Sequence, residues 1–161
     1  MKRSCVFLDR DGVINVAPPE GEYVIRWEQF RFVPGVVDWI RLFNALGHLV
    51  IVVTNQRSVA LGLVSGEALA ALHGRMREEL AAKGARIDDV YCCPHEEGVC
   101  ECRKPRPGMV LAAARKWKID LGRSILIGDS ERDRGLAGNA GLTYVEVRDG
   151  RVSEVVTATA S

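Results

Sequence analysis

The chain has 161 residues, of which 47% are hydrophobic and 27% charged, with 22 Lys or Arg against 21 Asp or Glu for a net charge of +1. That length fits one compact domain, and the balanced, interspersed charge excludes an electrostatic footprint for nucleic acid or an anionic membrane. No apolar run approaches the roughly 20 residues that span a bilayer, and the basic start Met1–Arg3 meets Asp9 before a secretory apolar region can form.

A cytoplasmic protein is therefore expected, in which five cysteines serve more readily as thiols or metal ligands than as disulfides. Along the chain, "SCVFL" (4–8) reads as a strand, and Pro34-Gly35 introduce "VVDWIRLFNAL", a helical pattern closed by Gly47. "LVIVVT" (49–54) is continuous and β-branched, the mark of a strand buried on both faces. Ser65 caps "GEALAALHGRMREELAAKG", a helix that stops at Gly84. "DVYCC" (89–93) is a short strand, and "GMVLAAARKWKI" (108–119) a helix after Pro107. "SILIG" (124–128), a helix over 131–140 and "TYVEV" (143–147) follow, with 151–161 as an edge strand or frayed tail. Strands alternating with helices predict right-handed βαβ units, hence a three-layer, Rossmann-like α/β fold: a parallel sheet with helices on both faces. In such sheets ligands bind beyond the carboxyl ends of the strands.

Three informative stretches fall at those ends. "FLDRDGVIN" sets Asp9 and Asp11 two residues apart after an apolar run. Asp11-Gly12 alone fits a surface turn; with Asp129 or Asp133 of "LIGDSERD" the pair instead suits a hard-cation site. Ser130-x-x-Asp133 also matches a capping box, whereas Asp129 is not needed for one. Carboxylates with water ligands suit Mg²⁺, which offsets their repulsion and bridges to phosphate. One carboxylate can then attack phosphorus while a second protonates the leaving oxygen and later deprotonates water. Thr54 of "VTNQ" and Lys104 of "CRKP" offer donors to the phosphoryl oxygens. Separately, Cys93, His95, Cys100 and Cys102 in "CPHEEGVCEC" form a C-x-H…C-x-C set suited to tetrahedral Zn²⁺; a redox pair or unligated thiols is the alternative. Cys5 and Cys92 read as core thiols, and His48 and His73 as structural or surface residues.

In this order, "FLDRDGVIN", "VTNQ", "CRKPRPG" and "GDSERD" resemble the haloacid dehalogenase superfamily of phosphohydrolases. Within it the chain is similar to the capless branch of heptose bisphosphate and histidinol-phosphate phosphatases, from about Cys5 to Gly150. The resemblance implies that Asp9 is the nucleophile and Asp11 the general acid/base. It implies Mg²⁺ on the Asp9 carboxylate, the Asp11 carbonyl and Asp129, with Thr54 and Lys104 steadying the phosphoryl group. Arg103 would recognise substrate, Asn55 and Gln56 would line the site, and the Cys/His set would hold a structural zinc. A chain of this length leaves no room for a separate cap domain, so 1–161 is expected to be one open-sited phosphatase domain.

The leading expectation is a Mg²⁺-dependent phosphatase acting on D-glycero-D-manno-heptose 1,7-bisphosphate, a precursor of lipopolysaccharide or a related glycan. "FRFVPGV", "ARIDDVY" and "PGMVLAAAR" favour it; the short zinc loop, with four residues between His95 and Cys100, favours histidinol phosphate. A nucleic-acid 3′-phosphatase or a zinc-stabilised binding module without catalysis are the remaining alternatives. The expected partner is a small phosphorylated sugar or histidinol phosphate, with no nucleic acid or membrane, and the chain acts as a monomer. Selectivity falls to the loops 17–30 and 56–65 and the zinc loop; Tyr23 and Trp27 either pack on the substrate or anchor the core. The chain departs from the family pattern at Arg57, at Leu61 where Arg is typical, and at Ser130 where a cation is common; Arg57 is the candidate replacement.

Overall fold

Ten regular elements form the frame, and the computed structural model describes residues 1–158 of the chain. Strands β1 (Cys5–Leu8), β2 (Leu49–Asn55), β3 (Asp89–Cys93), β4 (Ile125–Gly128), β5 (Thr143–Arg148) and β6 (Arg151–Val156) make one sheet in the order β3-β2-β1-β4-β5-β6. Helices α1 (Val36–Ala45), α2 (Gly66–Ala82), α3 (Gly108–Trp117) and α4 (Glu131–Ala140) connect them. The first five strands run parallel, in the register Leu8 beside Val52 on one side and Ile127 on the other.

Alternation along β1 divides the core. Val6 and Leu8 join Val50, Val52 and Ile127 beneath Ile40 of α1 and Leu69, Leu72, Met76 and Leu80 of α2. Cys5 and Phe7 face the other way, joining Leu49, Ile51, Val53 and Leu126 beneath Val110 of α3 and Leu136 of α4. The sheet is thus covered on both faces, which is why β1 and β2 read as unbroken apolar runs. Both clusters remove whole side chains from water, the main source of stability in such a core.

Two features differ from the sequence expectation. The sheet is not wholly parallel: β6 returns antiparallel to β5 through Asp149 and Gly150. Both turn residues have positive φ, 51° and 76°, so Asp-Gly closes a tight hairpin of the kind it favours. This settles 151–156 as an exposed edge strand; residues 159–161 of the expected tail lie outside the described residues. Helix α3 stops at Trp117, before the expected Ile119, because Lys118 turns left-handed and Ile119 drops into the core. The connection 9–35 carries only a 3-10 turn, Trp27–Gln29, so no cap domain is present among the described residues.

Candidate active site

Strand β1 has β2 and then β3 on one side and β4 and then β5 on the other, so connections diverge at the β1/β4 boundary. Asp9 leaves the end of β1 there, its N–H donating to the Ile127 carbonyl at 3.1 Å, and Asp129 leaves the end of β4. That is the crevice such a sheet offers to ligands. The turn after Asp9 approaches Asp129 so closely that only glycine fits: a Cβ on Gly12 would lie 1.8 Å from Asp129 Oδ2, and its φ is +88°.

Lys104 enters from the loop before α3 and is buried between two carboxylates. Its Nζ donates to Asp9 Oδ1 at 2.8 Å, Asp133 Oδ1 at 2.7 Å and the Val53 carbonyl at 3.0 Å. Burial alone would lower the ammonium's pKa, but Asp9 and Asp133 outweigh it and hold the group above its ordinary value. Burial, with the Asp133 charge beside it, pushes Asp9 well above the usual carboxylate range. The same causes raise Asp129 to about 6. Asp9, Asp129 and Asp133 each bring a carboxylate oxygen within 4.8 Å of the others, a donor set that fits a hard divalent cation.

Asp133 has a larger part than its sequence context indicates. The capping pattern is real: Ser130 Oγ accepts from the Asp133 N–H at 3.2 Å and donates to Asp133 Oδ2 at 2.9 Å. The other oxygen, however, is the second anchor of Lys104. The only sequence signal was a carboxylate one helical turn beyond Asp129, which the cap already explained.

The motif that ends β2 supports its neighbours as much as it lines the site. Gln56 Nε2 donates to Thr54 Oγ1 at 2.9 Å and Asp11 Oδ2 at 3.2 Å. Thr54 is buried; accepting from Gln56 leaves its own hydroxyl proton for another acceptor. Asn55, expected as a substrate contact, has both amide atoms committed to Lys104: Oδ1 accepts from the backbone N–H at 3.0 Å, and Nδ2 donates to the carbonyl at 3.3 Å. It therefore holds the lysine loop against β2.

Asp9, Asp11, Asn55, Gln56, Arg103, Lys104 and Asp129 all line one open cleft of about 670 Å³. Residues 17–23, Arg57, Glu96, Glu97, Ser130 and Arg132 form its mouth, so loops from all three expected segments contribute. Tyr23 belongs to the mouth; Trp27 does not, and stacks on Phe30 with centroids 5.0 Å apart. Arg57 is not a free cation in place of the one missing at Ser130. Its guanidinium pairs with Glu96, Nη2 donating to Oε2 at 3.1 Å. Arg132, in the first turn of α4, is a cation on that side that the sequence reading did not single out.

The four zinc candidates converge as predicted. Cys102 Sγ lies 3.1 Å from Cys93 Sγ and 3.5 Å from Cys100 Sγ, and His95 Nδ1 lies 3.2 Å from Cys102 Sγ. All five cysteines are free thiols, and three sulfurs with one imidazole nitrogen so close together fit a tetrahedral metal. Cys92 stands apart: it is outside this group and packs against the core beneath α1 and α2. Cys5 is a core thiol, as expected. His48 bonds Ser4 Oγ at 2.7 Å, and His73 is buried on α2. Both are structural contacts.

A carboxylate held by a buried lysine, a second carboxylate beside it and a third ready to share a cation can support phosphoryl transfer through a covalent intermediate. The comparisons point to phosphatases. A family model described as HAD-hydrolase-like matches residues 101–160. A protein of Rhodopseudomonas palustris named D-glycero-beta-D-manno-heptose-1,7-bisphosphate 7-phosphatase is 46% identical, covering 88% of this chain and 81% of its own. One of Burkholderia mallei, named as the alpha-anomer enzyme, is 41% identical over 98% of this chain and 87% of its own. A crystal structure of D,D-heptose 1,7-bisphosphate phosphatase from B. bronchiseptica, complexed with magnesium and phosphate, superposes with a TM-score of 0.84. It is 34% identical, covering 91% of this chain and 83% of that one.

Proposed function

This chain belongs to the haloacid dehalogenase-like heptose bisphosphate phosphatases, and we propose that it removes the 7-phosphate of D-glycero-D-manno-heptose 1,7-bisphosphate through an aspartyl-phosphate on Asp9. The observation that carries the reading is the Asp9–Lys104–Asp133 bridge beside Asp129 at the end of the central strands. Lys104 occupies Asp9 Oδ1, leaving Oδ2 to attack phosphorus. As that P–O bond forms, the bond to the sugar O7 breaks, and Asp11 gives O7 its proton. Asp11 then takes a proton from water, which attacks the aspartyl-phosphate and releases inorganic phosphate and restores Asp9. Thr54 and Lys104 donate to the phosphoryl oxygens as charge builds there.

Asp9, the Asp11 carbonyl and Asp129 would hold Mg²⁺, which when bound neutralises the carboxylates and polarises the phosphoryl oxygens. Arg103 and Arg132 are the cleft cations for the remaining phosphate, because Arg57 is engaged by Glu96. Cys93, His95, Cys100 and Cys102 would hold a structural zinc that orders the loop carrying Arg103 and Lys104. The reading includes a single phosphatase domain over 1–161, working as a monomer in the cytoplasm, where reduced thiols remain available to the metal.

The test is Mg²⁺-dependent phosphate release from both anomers of heptose 1,7-bisphosphate and from histidinol phosphate, with Asp9→Asn as control. Preference for one heptose anomer is expected. Preference for histidinol phosphate would overturn the substrate assignment, and undiminished release by Asp9→Asn would overturn the mechanism.

A further inference from the structure

Between the two carboxylates of the opening motif lies a residue the mechanism above does not use. Arg10 is fully buried, an expensive place for a charge that cannot be discharged. Its contacts converge on Asp11: Nε and Nη2 donate to Asp11 Oδ1 at 3.0 and 2.8 Å. Nη2 also donates to the Val24 carbonyl at 2.8 Å, and Nη1 lies 3.1 Å from His73 Nε2. Arginine offers donors only, so Nε2 of His73 is the acceptor and the ring proton sits on Nδ1. Helix α2 thus presents a neutral imidazole to brace a guanidinium, and the guanidinium grips one oxygen of Asp11.

The two oxygens of Asp11 are left unequal. Oδ1 accepts three donors, two from Arg10 and a third from Asn15 Nδ2 at 2.9 Å. Oδ2 accepts one long bond, from Gln56 Nε2 at 3.2 Å. A carboxylic acid keeps its proton on the oxygen that is not already saturated with donors, so the transferable proton belongs on Oδ2. We infer that Arg10, braced by His73, is the positioning residue that aims Oδ2 of Asp11 at the leaving-group oxygen. The inference rests on Asp11 being the general acid, and adds that the aim is set by Arg10 and its brace on α2, neither of which lines the cleft.

A misaimed acid harms only esters whose leaving group needs its proton, whereas a loosened fold harms all of them. The experiment compares 4-nitrophenyl phosphate, whose phenolate leaves unaided, with glycerol 2-phosphate and heptose 1,7-bisphosphate, whose alkoxides do not. The variants are His73→Gln, whose amide oxygen reaches the place of Nε2, and His73→Asn, which is too short; thermal melts accompany both. We expect His73→Asn to lose at least about 10-fold in kcat on the alkyl esters and less than about 3-fold on the aryl ester, given what general acids contribute. His73→Gln should stay within about 3-fold of the parent on all three, since it restores the acceptor. Equal losses on aryl and alkyl esters, or identical behaviour of Gln and Asn, would overturn the inference. Should His73→Asn not fold, Arg10→Lys keeps the charge without the paired grip on Oδ1 and takes the same comparison. If the parent ignores heptose bisphosphate, the substrate reading fails, while glycerol 2-phosphate against the aryl ester still decides the role of Arg10.

Discussion

Replacing Lys104 by Met tests the centre of the site most directly. The substitution removes three hydrogen bonds of 2.7–3.0 Å and the one ammonium between Asp9 and Asp133, while keeping a similar apolar stem. Lys104 and Asp133 have side chains only 4% and 0% exposed, so water cannot replace the lost cation. Deleting one partner of such a buried pair costs about 3–5 kcal/mol. At about 2–4 °C per kcal/mol for a chain of this size, melting should fall by about 6–20 °C at neutral pH. The deficit should shrink in acid. Burial and Asp133 already raise the folded-state pKa of Asp9, and losing Lys104 raises it further. A carboxyl with a raised folded pKa contributes stability below its unfolded value of roughly 4 and loses it as pH rises through the folded value, so Lys104→Met gains on the parent as pH falls. Urea melts from pH 7.5 to pH 5, with phosphate release measured alongside, decide the matter. A variant that melts within a degree or so of the parent, or a gap that does not narrow in acid, would refute the ion-pair argument.

Other expectations follow from single contacts. Gly12→Ala drives a Cβ against Asp129 Oδ2 in a left-handed turn, so Mg²⁺ affinity should fall at least about 10-fold, the scale of losing support for a metal ligand; calorimetric titration reads it. Burial and the Arg10 charge lower His73 to about 4 from 6.5. The unfolded state therefore binds the extra proton first as pH falls from 6.5 to 4. About 3 kcal/mol of stability is lost across that window, and melts of His73→Gln should show a shallower pH slope. Arg132→Ala should raise KM about 10-fold for the bisphosphate and leave 4-nitrophenyl phosphate unaffected, the cost of one exposed phosphate contact. Native mass spectrometry should find one zinc per chain, lost together with a lower melting temperature in Cys102→Ser.

Much of the site was legible because strand ends are legible. The unbroken apolar runs of β1, β2 and β4 locate Asp9, Thr54 and Asp129 within a residue of where the structure has them. The cysteine spacing was equally direct, since ligands so near in sequence need only a short loop to meet. Roles that depend on distant partners were not legible. Asn55 reads as a cleft donor in sequence, whereas its amide closes on Lys104, a partner 49 residues away. Asp133 was masked by a sufficient local explanation, the cap on α4. Arg57 could be placed at the mouth, but its pairing with Glu96 depends on how the loop after β3 folds back. The direction of β6 is written in the turn residues Asp149-Gly150, but the small polar segment after them fits a frayed tail as well as an edge strand.

The central place of β1 also bears on how the chain is made. Its four residues emerge from the ribosome first among the strands, yet one of its two neighbours, β4, begins at Ile125. Until then, an apolar strand that is almost fully buried in the finished sheet has an open edge, the condition in which nascent chains pair wrongly or clump. Asp9 meets Lys104 across 95 residues, so the reaction centre closes only when most of the chain is available. Regain of phosphatase activity during refolding should coincide with the slowest structural phase, as expected when the essential contacts span large sequence separations.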